Sequence, residues 1–400
     1  MMYNSTRDSR VSVSSSQAIV QGISRDGGLF VPETLPRITG ADIAALTSMP
    51  YADRAASVLS RFLTDFTGEE TAQCTRAAYG SGAFRSPAVA PVHTLEEGLH
   101  ILELWHGPTC AFKDMALQIL PHLMRVSASK TGGGEIVILG ATSGYTGKAA
   151  LEGFRDAPHT RILVFYPEDG VSPMQKLQMT TQEGGNVGVC AIRGNFDDAQ
   201  SGVKAIFTDE AVGNALRDHG MQFSSANSIN WGRLVPQIVY YISAYCDLLA
   251  DGKLKMGDTF NVVVPTGNFG NILAAYYAKE MGLPVASIRP FCISGMGFSG
   301  DSMMPLVHSV SGKHLRMNGA NRSRRASASA MSASETTSWH TASVISKGRN
   351  LGLTHRVSFC SAISFKVASC SISFAAYSLI AMEKLLLSRL HGAAPGRGAV

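Results

Sequence analysis

From residue 113 onward, the apolar positions of this chain switch repeatedly between two periods. Runs with apolar residues three and four apart alternate with short β-branched runs, and glycine or proline marks most of the joints. The pattern predicts a helix from 113 to about Lys130, the turn Gly132-Gly133-Gly134, a strand from Glu135 to Leu139 and a helix to Phe154. A strand from Arg161 to Tyr166, a helix opening at Ser172, a strand from Val187 to Ile192 and a helix from about Asp197 to Arg217 follow. Beyond them come a helix from Asn230 to Leu249, a strand from Phe260 to Val264 and a helix to Glu280 that stops at Gly282. The Ser172 helix is the best marked, with a serine to cap it, Pro173 at the first helical position and Gly184 past its end. This βαβα order is that of an α/β protein built on parallel sheets with helices on both faces.

The flanks read differently. Residues 1–100 open extended and polar, turn at Gly27-Gly28 into a short strand at Leu29-Phe30-Val31, and continue as two helices over 41–47 and 51–66. Gly98 to Leu104 predicts a strand leading toward residue 113. Beyond about residue 285 the pattern fades, and no helix or strand rhythm persists before about Ser373. We therefore expect four parts: an N-terminal α+β segment (1–100), an α/β unit (101–220), part of a second α/β unit (221–288) and an atypical Ser/Arg-rich tail (289–400).

Charge sharpens that division. The formal net charge of +5 splits into +10 for residues 289–400, from 13 basic and 3 acidic side chains, and −5 for residues 1–288, from 22 and 27. All the basicity lies in the tail, which carries no nucleic-acid motif and few aromatic platforms, so no nucleic-acid partner is expected. No run approaches the roughly 18 apolar residues of a membrane span. The polar, serine-rich first twenty residues lack a signal-like apolar core, and a cytoplasmic setting is expected. The seven cysteines form no Cys-x-x-Cys or His-rich spacing, so neither a disulfide framework nor a metal site is expected.

Chemistry concentrates in three stretches. Lys113 follows His106-Gly107-Pro108-Thr109 and Phe112 and opens an apolar helical run, where an ammonium is poorly solvated. Desolvation lowers a lysine pKa and makes the amine nucleophilic, which suits a Schiff-base lysine. The loop Gly267-Asn268-Phe269-Gly270-Asn271 joins a strand to a helix, and such a turn offers backbone N–H groups and a helix N-terminus to a phosphate. The loop Ala141-Thr142-Ser143-Gly144-Tyr145-Thr146-Gly147 has the same setting, with hydroxyls that suit a carboxylate. Each stretch also has a plain structural reading, as a solvated lysine, a chain reversal and a capped helix respectively. Cys110 reads as a small packing residue and His106 as a residue that fixes the loop, while Arg233 and Lys176 are candidates for gripping a second phosphate.

The segment Glu103 to Gln118 resembles the cofactor-lysine segment of threonine synthases, pyridoxal-phosphate enzymes of the tryptophan-synthase-β structural group. Ser5-Thr6-Arg7, Asp26 to Glu33, Ala141-Thr142-Ser143-Gly144, Ser172-Pro173-Met174-Gln175, Gly194 to Asp198, Asn230-Trp231-Gly232-Arg233 and Pro265 to Asn271 resemble the same family, over about residues 3–285. The resemblance implies fold type II and pyridoxal 5′-phosphate, held by Lys113 and by Gly267, Asn268, Phe269, Gly270 and Asn271. It implies that Thr142, Ser143, Gly144, Thr146 and Gly147 bind the substrate carboxylate. The chain departs from the family at Tyr145, where an Asp or Asn is usual, and at Lys148, where a small residue is.

The activity implied is conversion of O-phospho-L-homoserine and water to L-threonine and phosphate. A lyase of the same cofactor group that deaminates its substrate to a keto acid would share Lys113 and the glycine loop. An inactive cofactor-binding relic is the third reading, because the residue expected to face the pyridine nitrogen is not found. For the tail, loss of reading frame near residue 286 and a divergent extension are the two readings, and its composition reads as disordered.

Overall fold

The computed structural model of the chain describes residues 1–265 and 269–291 and the backbone of a strand over 342–347. Its core is a long helix, α11 (Trp231–Ala250), in which nearly every side chain is buried. Asn230 caps it, accepting from Gly232 N–H and donating through Nδ2 to the carbonyls of Ile19 and Ser225, both at 2.9 Å. Around the start of α11, Trp231 meets the rings of Tyr3, Phe62 and Tyr277 at centroid distances of 5.4, 5.5 and 5.6 Å. Aromatic clusters of this kind bury a large area per residue and dominate core energetics. Tyr3 comes from β1 (Tyr3–Ser5), so this ring cluster ties the first residues of the chain to its centre.

Two larger sheets flank this core. One is parallel throughout, in the order β8-β7-β6-β9, with β6 (Glu135–Ala141), β7 (Thr160–Pro167), β8 (Val187–Ile192) and β9 (Met221–Ser224). Three of its strands match the predicted runs. The fourth, β9, is too short and too polar to register as a period-two pattern. Helices α7 (Tyr145–Phe154), α8 (Pro173–Thr180), α9 (Phe196–Thr208) and α10 (Glu210–Asp218) connect these strands. The single helix predicted over 197–217 breaks at Asp209, whose carboxylate accepts from Ala211 and Val212 N–H and so starts α10.

The other sheet runs β11-β10-β12-β5-β4, with β4 (Val92–Glu96), β5 (Leu99–Glu103), β10 (Phe260–Pro265), β11 (Val285–Phe291) and β12 (Ala342–Lys347). Here the expectation of a second parallel sheet needs correction. β10 and β11 are parallel, but β12 runs antiparallel to both β10 and β5, and β4 and β5 form an antiparallel pair. β12 also corrects the expectation of no strand before Ser373. The rest of the tail reading lies outside the described residues.

The N-terminal part holds a small antiparallel sheet of β1, β2 (Ser12–Val13) and β3 (Phe30–Pro32). It also holds α1 (Ser15–Gln21), α2 (Gly40–Thr47), α3 (Tyr51–Ser60) and α4 (Gly68–Tyr79). α1 was not expected, because its buried face carries the polar residues Ser15 and Ser16; Asp65 accepts from the Ser15 hydroxyl and the Ser16 N–H. The helix predicted from 113 to 130 is in fact two, α5 (Asp114–Leu117) and α6 (Leu120–Lys130), the second opening with Pro121 in its first turn. Cys74 and Cys246 are buried free thiols. Among the described residues no helix is long and apolar enough to cross a membrane, and no cluster of His, Cys, Asp and Glu could hold a metal ion.

Candidate active site

Lys113 is the residue just before α5, at the end of a tight loop that begins at Gly107. The loop is locked by the next residue. Asp114, fully buried, accepts from Thr109 N–H at 2.8 Å and from Thr109 Oγ1 at 2.6 Å. Gly107 is required by this packing: a Cβ there would lie 2.4 Å from Asp114 Cβ. Cys110, in the left-handed region at φ 56°, turns the chain back toward Phe112.

The Lys113 side chain keeps some solvent-accessible surface, but its amine has protein on most sides. Its Nζ lies 4.7 Å from the centroid of the Phe112 ring and 6.0 Å from that of Tyr145. Burial first, and the nearby Arg233 guanidinium second, lower its pKa from 10.5 to about 8, with Asp114 opposing them. At pH 7 about one such amine in ten is neutral, against about one in three thousand for an ordinary lysine. The amine is thus as poorly solvated as the sequence led one to expect.

Arg233, on α11, is 2 % exposed; its Nη1 donates to the Ala226 carbonyl while its Nε–H, also buried, has no partner. Burial depresses it to about 10, and Asp114 opposes the shift. Lys176, the other cation considered for a second phosphate, is half-buried and 4.0 Å from Glu168. His106 Nε2 is paired with Glu103 Oε2 at 2.7 Å and its ring stacks on Trp105, as befits a residue that fixes the loop.

The 141–147 loop leaves the C-terminal end of β6 and enters α7. Thr142 is buried, and its Oγ1 accepts from Gly144 N–H at 3.0 Å and from Gly147 N–H at 2.9 Å. Thr142 and Gly147 therefore spend these groups on the loop itself. The N–H groups of Ser143, Tyr145 and Thr146 take no acceptor within the described residues and stand at the N-terminus of α7, where an anion is favoured. Gly144 has φ 138°, and a Cβ on it would meet the Gln175 side chain at 2.3 Å, so α8 closes over this loop. Lys148 points to Glu152 and Gln182, tying α7 to the end of α8.

Of the third stretch, Gly267 and Asn268 lie outside the described residues. Phe269 precedes α12 (Gly270–Met281), and Gly270 is buried where a Cβ would approach Ser228 to 3.3 Å. Asn271 is 4 % exposed, and its Oδ1 accepts from the hydroxyls of Tyr240 and Tyr241, each at 2.5 Å. Its side chain thus anchors the helix start from inside, leaving the backbone at the helix N-terminus to face a ligand. Asp114, Tyr240 and Tyr241 escaped the sequence reading. For Asp114 a signal existed, an acid placed beside the lysine at the opening of an apolar run.

Residues 2–79 match the family described as Threonine synthase N terminus. Over 289 residues the chain is 42% identical to threonine synthase of Pseudomonas aeruginosa, an alignment that takes in 72% of this chain and 59% of that protein. A solved structure of pyridoxal-phosphate-bound threonine synthase from Brucella melitensis matches with a TM-score of 0.65 at 40% identity, over 72% of this chain and 60% of that one. Over this stretch, the chain is similar to threonine synthases.

Threonine synthase from Escherichia coli matches as well, with a TM-score of 0.64 at 33% identity, over 77% of this chain and 66% of that one. Threonine synthase-like 1 of Homo sapiens is 40% identical over 279 residues, which are 37% of its length. The chain thus spans between about a third and three fifths of these curated relatives. The threonine synthase match accounts for the α/β architecture and the three loops.

Proposed function

We propose that this chain binds pyridoxal 5′-phosphate at Lys113 and converts O-phospho-L-homoserine and water to L-threonine and phosphate. The observation that carries the reading is the Lys113 amine: set against Phe112 and near Arg233, with a pKa that burial brings down to about 8 against the pull of Asp114. The site fits the cofactor on structural grounds. Two helix N-termini, those of α7 and α12, bring backbone N–H groups to it, and a Cβ on Gly270 would press on the Ser228 side chain at 3.3 Å.

Pyridoxal phosphate, when bound, supplies the electron sink that makes the substrate's Cα and Cβ protons acidic. The chain's residues orient the substrate and move protons. The free N–H groups of Ser143, Tyr145 and Thr146 hold the α-carboxylate, Thr142 and Gly147 keep that loop in shape, and the start of α12, with Gly267 to Asn271, holds the cofactor phosphate. Lys113 takes the proton from Cα and then one from Cβ as phosphate leaves Cγ, delivers a proton to Cγ, and, after water has added its hydroxyl at Cβ and given up its other proton, returns one to Cα. A single amine can serve as acid and base here because its pKa lies near the working pH.

The test is Lys113→Ala. It should lose both covalent attachment of pyridoxal phosphate, read by borohydride trapping and mass spectrometry, and threonine formation from O-phospho-L-homoserine. Turnover at the wild-type rate in Lys113→Ala refutes the assignment. If the wild-type chain releases a keto acid and ammonia in place of threonine, the deaminating lyase is the correct reading of the same site.

A further inference from the structure

We propose that Asp114 is a positioning residue for Lys113, holding the loop that presents the amine and supplying the counter-charge that keeps that amine protonatable near the buried Arg233. The inference rests on the assignment of Lys113 above. Three observations meet at this carboxylate. It is fully buried, although the residue beside it carries the reactive amine. Both its oxygens are engaged by Thr109, through the backbone N–H and the hydroxyl, which closes the turn from which Lys113 projects. It also faces both cations, since Lys113 and Arg233 each feel its charge as an attraction while repelling one another.

The groups that act on it come from its own loop and from α11 and α7, which pack against α5 together with α6. Thr109 and Lys113 belong to its own loop, Arg233 to α11, and Glu152, which repels it, to α7. Burial, and Glu152 to a smaller extent, raise Asp114 to about 6, against the pull of the Thr109 hydrogen bonds. At neutral pH it is therefore ionised in most molecules, close to a threshold. Losing its charge leaves Lys113 and Arg233 as neighbouring cations with no anion between them, and the lysine, which can shed a proton, does so more readily.

A residue that only closed the turn would act through shape alone. Asp114→Asn separates the two roles, because the amide oxygen can still accept from Thr109 while the charge is gone. The assay measures attachment of pyridoxal phosphate to Lys113 against pH without substrate, by absorbance and by borohydride trapping. In the wild-type chain the attachment rate should climb with a midpoint near pH 8. In Asp114→Asn that midpoint should fall by roughly one unit, the usual effect of removing an adjacent opposite charge. An unmoved midpoint in a folded Asp114→Asn chain overturns the proposal and leaves the assignment of Lys113 intact. Absence of attachment in the wild-type chain overturns both.

A second measurement needs no variant. With carbon-13 in the lysine side chains, the Lys113 Cε resonance of the wild-type protein should show a minor step near pH 6, where Asp114 titrates, besides its main one near pH 8. A single step at pH 8 overturns the proposal even if Asp114→Asn fails to fold.

Discussion

Thr142 offers a sharp test of how the carboxylate loop works, because its hydroxyl could serve the substrate or the loop but not both. In the structure it serves the loop, accepting from Gly144 and Gly147 N–H at 3.0 and 2.9 Å while donating to the Gly144 carbonyl at 3.2 Å. Thr142→Val keeps the volume and the β-branch, so no cavity forms, but two buried N–H groups lose their acceptor. Each such group costs about 1–3 kcal/mol, and with partial relaxation the loop should lose about 2–4 kcal/mol. Backbone hydrogen exchange across residues 140–154 would read this directly. A loss of about 2 kcal/mol corresponds to an exchange roughly 30-fold faster there, with the β10 and α11 peptides unchanged. Thr142→Ser, which keeps the oxygen, should exchange within a few-fold of wild type. If O-phospho-L-homoserine turnover is also followed, Thr142→Val should raise KM, since the free N–H groups of Ser143, Tyr145 and Thr146 are no longer aimed together. Unchanged exchange combined with a raised KM would refute the reasoning, because the hydroxyl would then be acting on the substrate itself.

Other consequences can be measured on the same protein. Removing the Lys113 charge by Lys113→Met should stabilise the cofactor-free chain at pH 7 by about 1–2 kcal/mol, after discount for the partial exposure of the side chain. The sign follows from a pKa that is lower in the folded state: the penalty of the ammonium is complete below pH 8 and gone above 10.5, so the two urea midpoints should converge across that window. Asn271→Ala should cost about 1–3 kcal/mol, because the Tyr240 and Tyr241 hydroxyls lose the oxygen they share, and it should weaken pyridoxal phosphate binding without shifting the Lys113 midpoint. A wild-type affinity in Asn271→Ala would show that the start of α12 holds its shape without that anchor.

What could be read in the sequence was whatever repeats or punctuates. The strands β6, β7 and β8 were legible because buried parallel strands are short β-branched runs set off by glycine, and α8 because Ser172 and Pro173 mark its start. The loops around Lys113, Ala141 and Gly267 were legible because strand-to-helix turns with glycine carry their chemistry in the backbone. Roles decided by packing were not legible. Nothing in the string shows that the Thr142 oxygen turns inward, that Asn271 is gripped by two tyrosines, or that Asp114 is buried and held by Thr109. The strand leading to Lys113 was grouped by order with the unit that follows it, whereas its hydrogen bonds join it to β12 and β4 in the mixed sheet. Sequence order cannot reveal a pairing whose partner lies some 240 residues away.

That pairing has a consequence for the site. β12 is antiparallel to β10 and to β5, so β10 and β5 point the same way although they do not touch. Val344 sits level with Val263 on one side and Ile101 on the other, which brings the ends of β10, at Pro265, and β5, at Glu103, to the same edge of the sheet. β5 feeds the loop that carries Lys113, and β10 feeds the loop expected to hold the cofactor phosphate. The two strands lie one intervening strand apart, or about 10 Å between axes at the usual spacing. In the parallel sheet, β6 likewise releases the carboxylate loop from its C-terminal end, where ligands gather in α/β sheets. β12 thus sets the distance between β5, which leads to Lys113, and β10, which leads to the loop proposed to hold the phosphate. Without a strand in that place, β5 and β10 would each present an unpaired edge, and the spacing on which the site depends would have nothing to fix it.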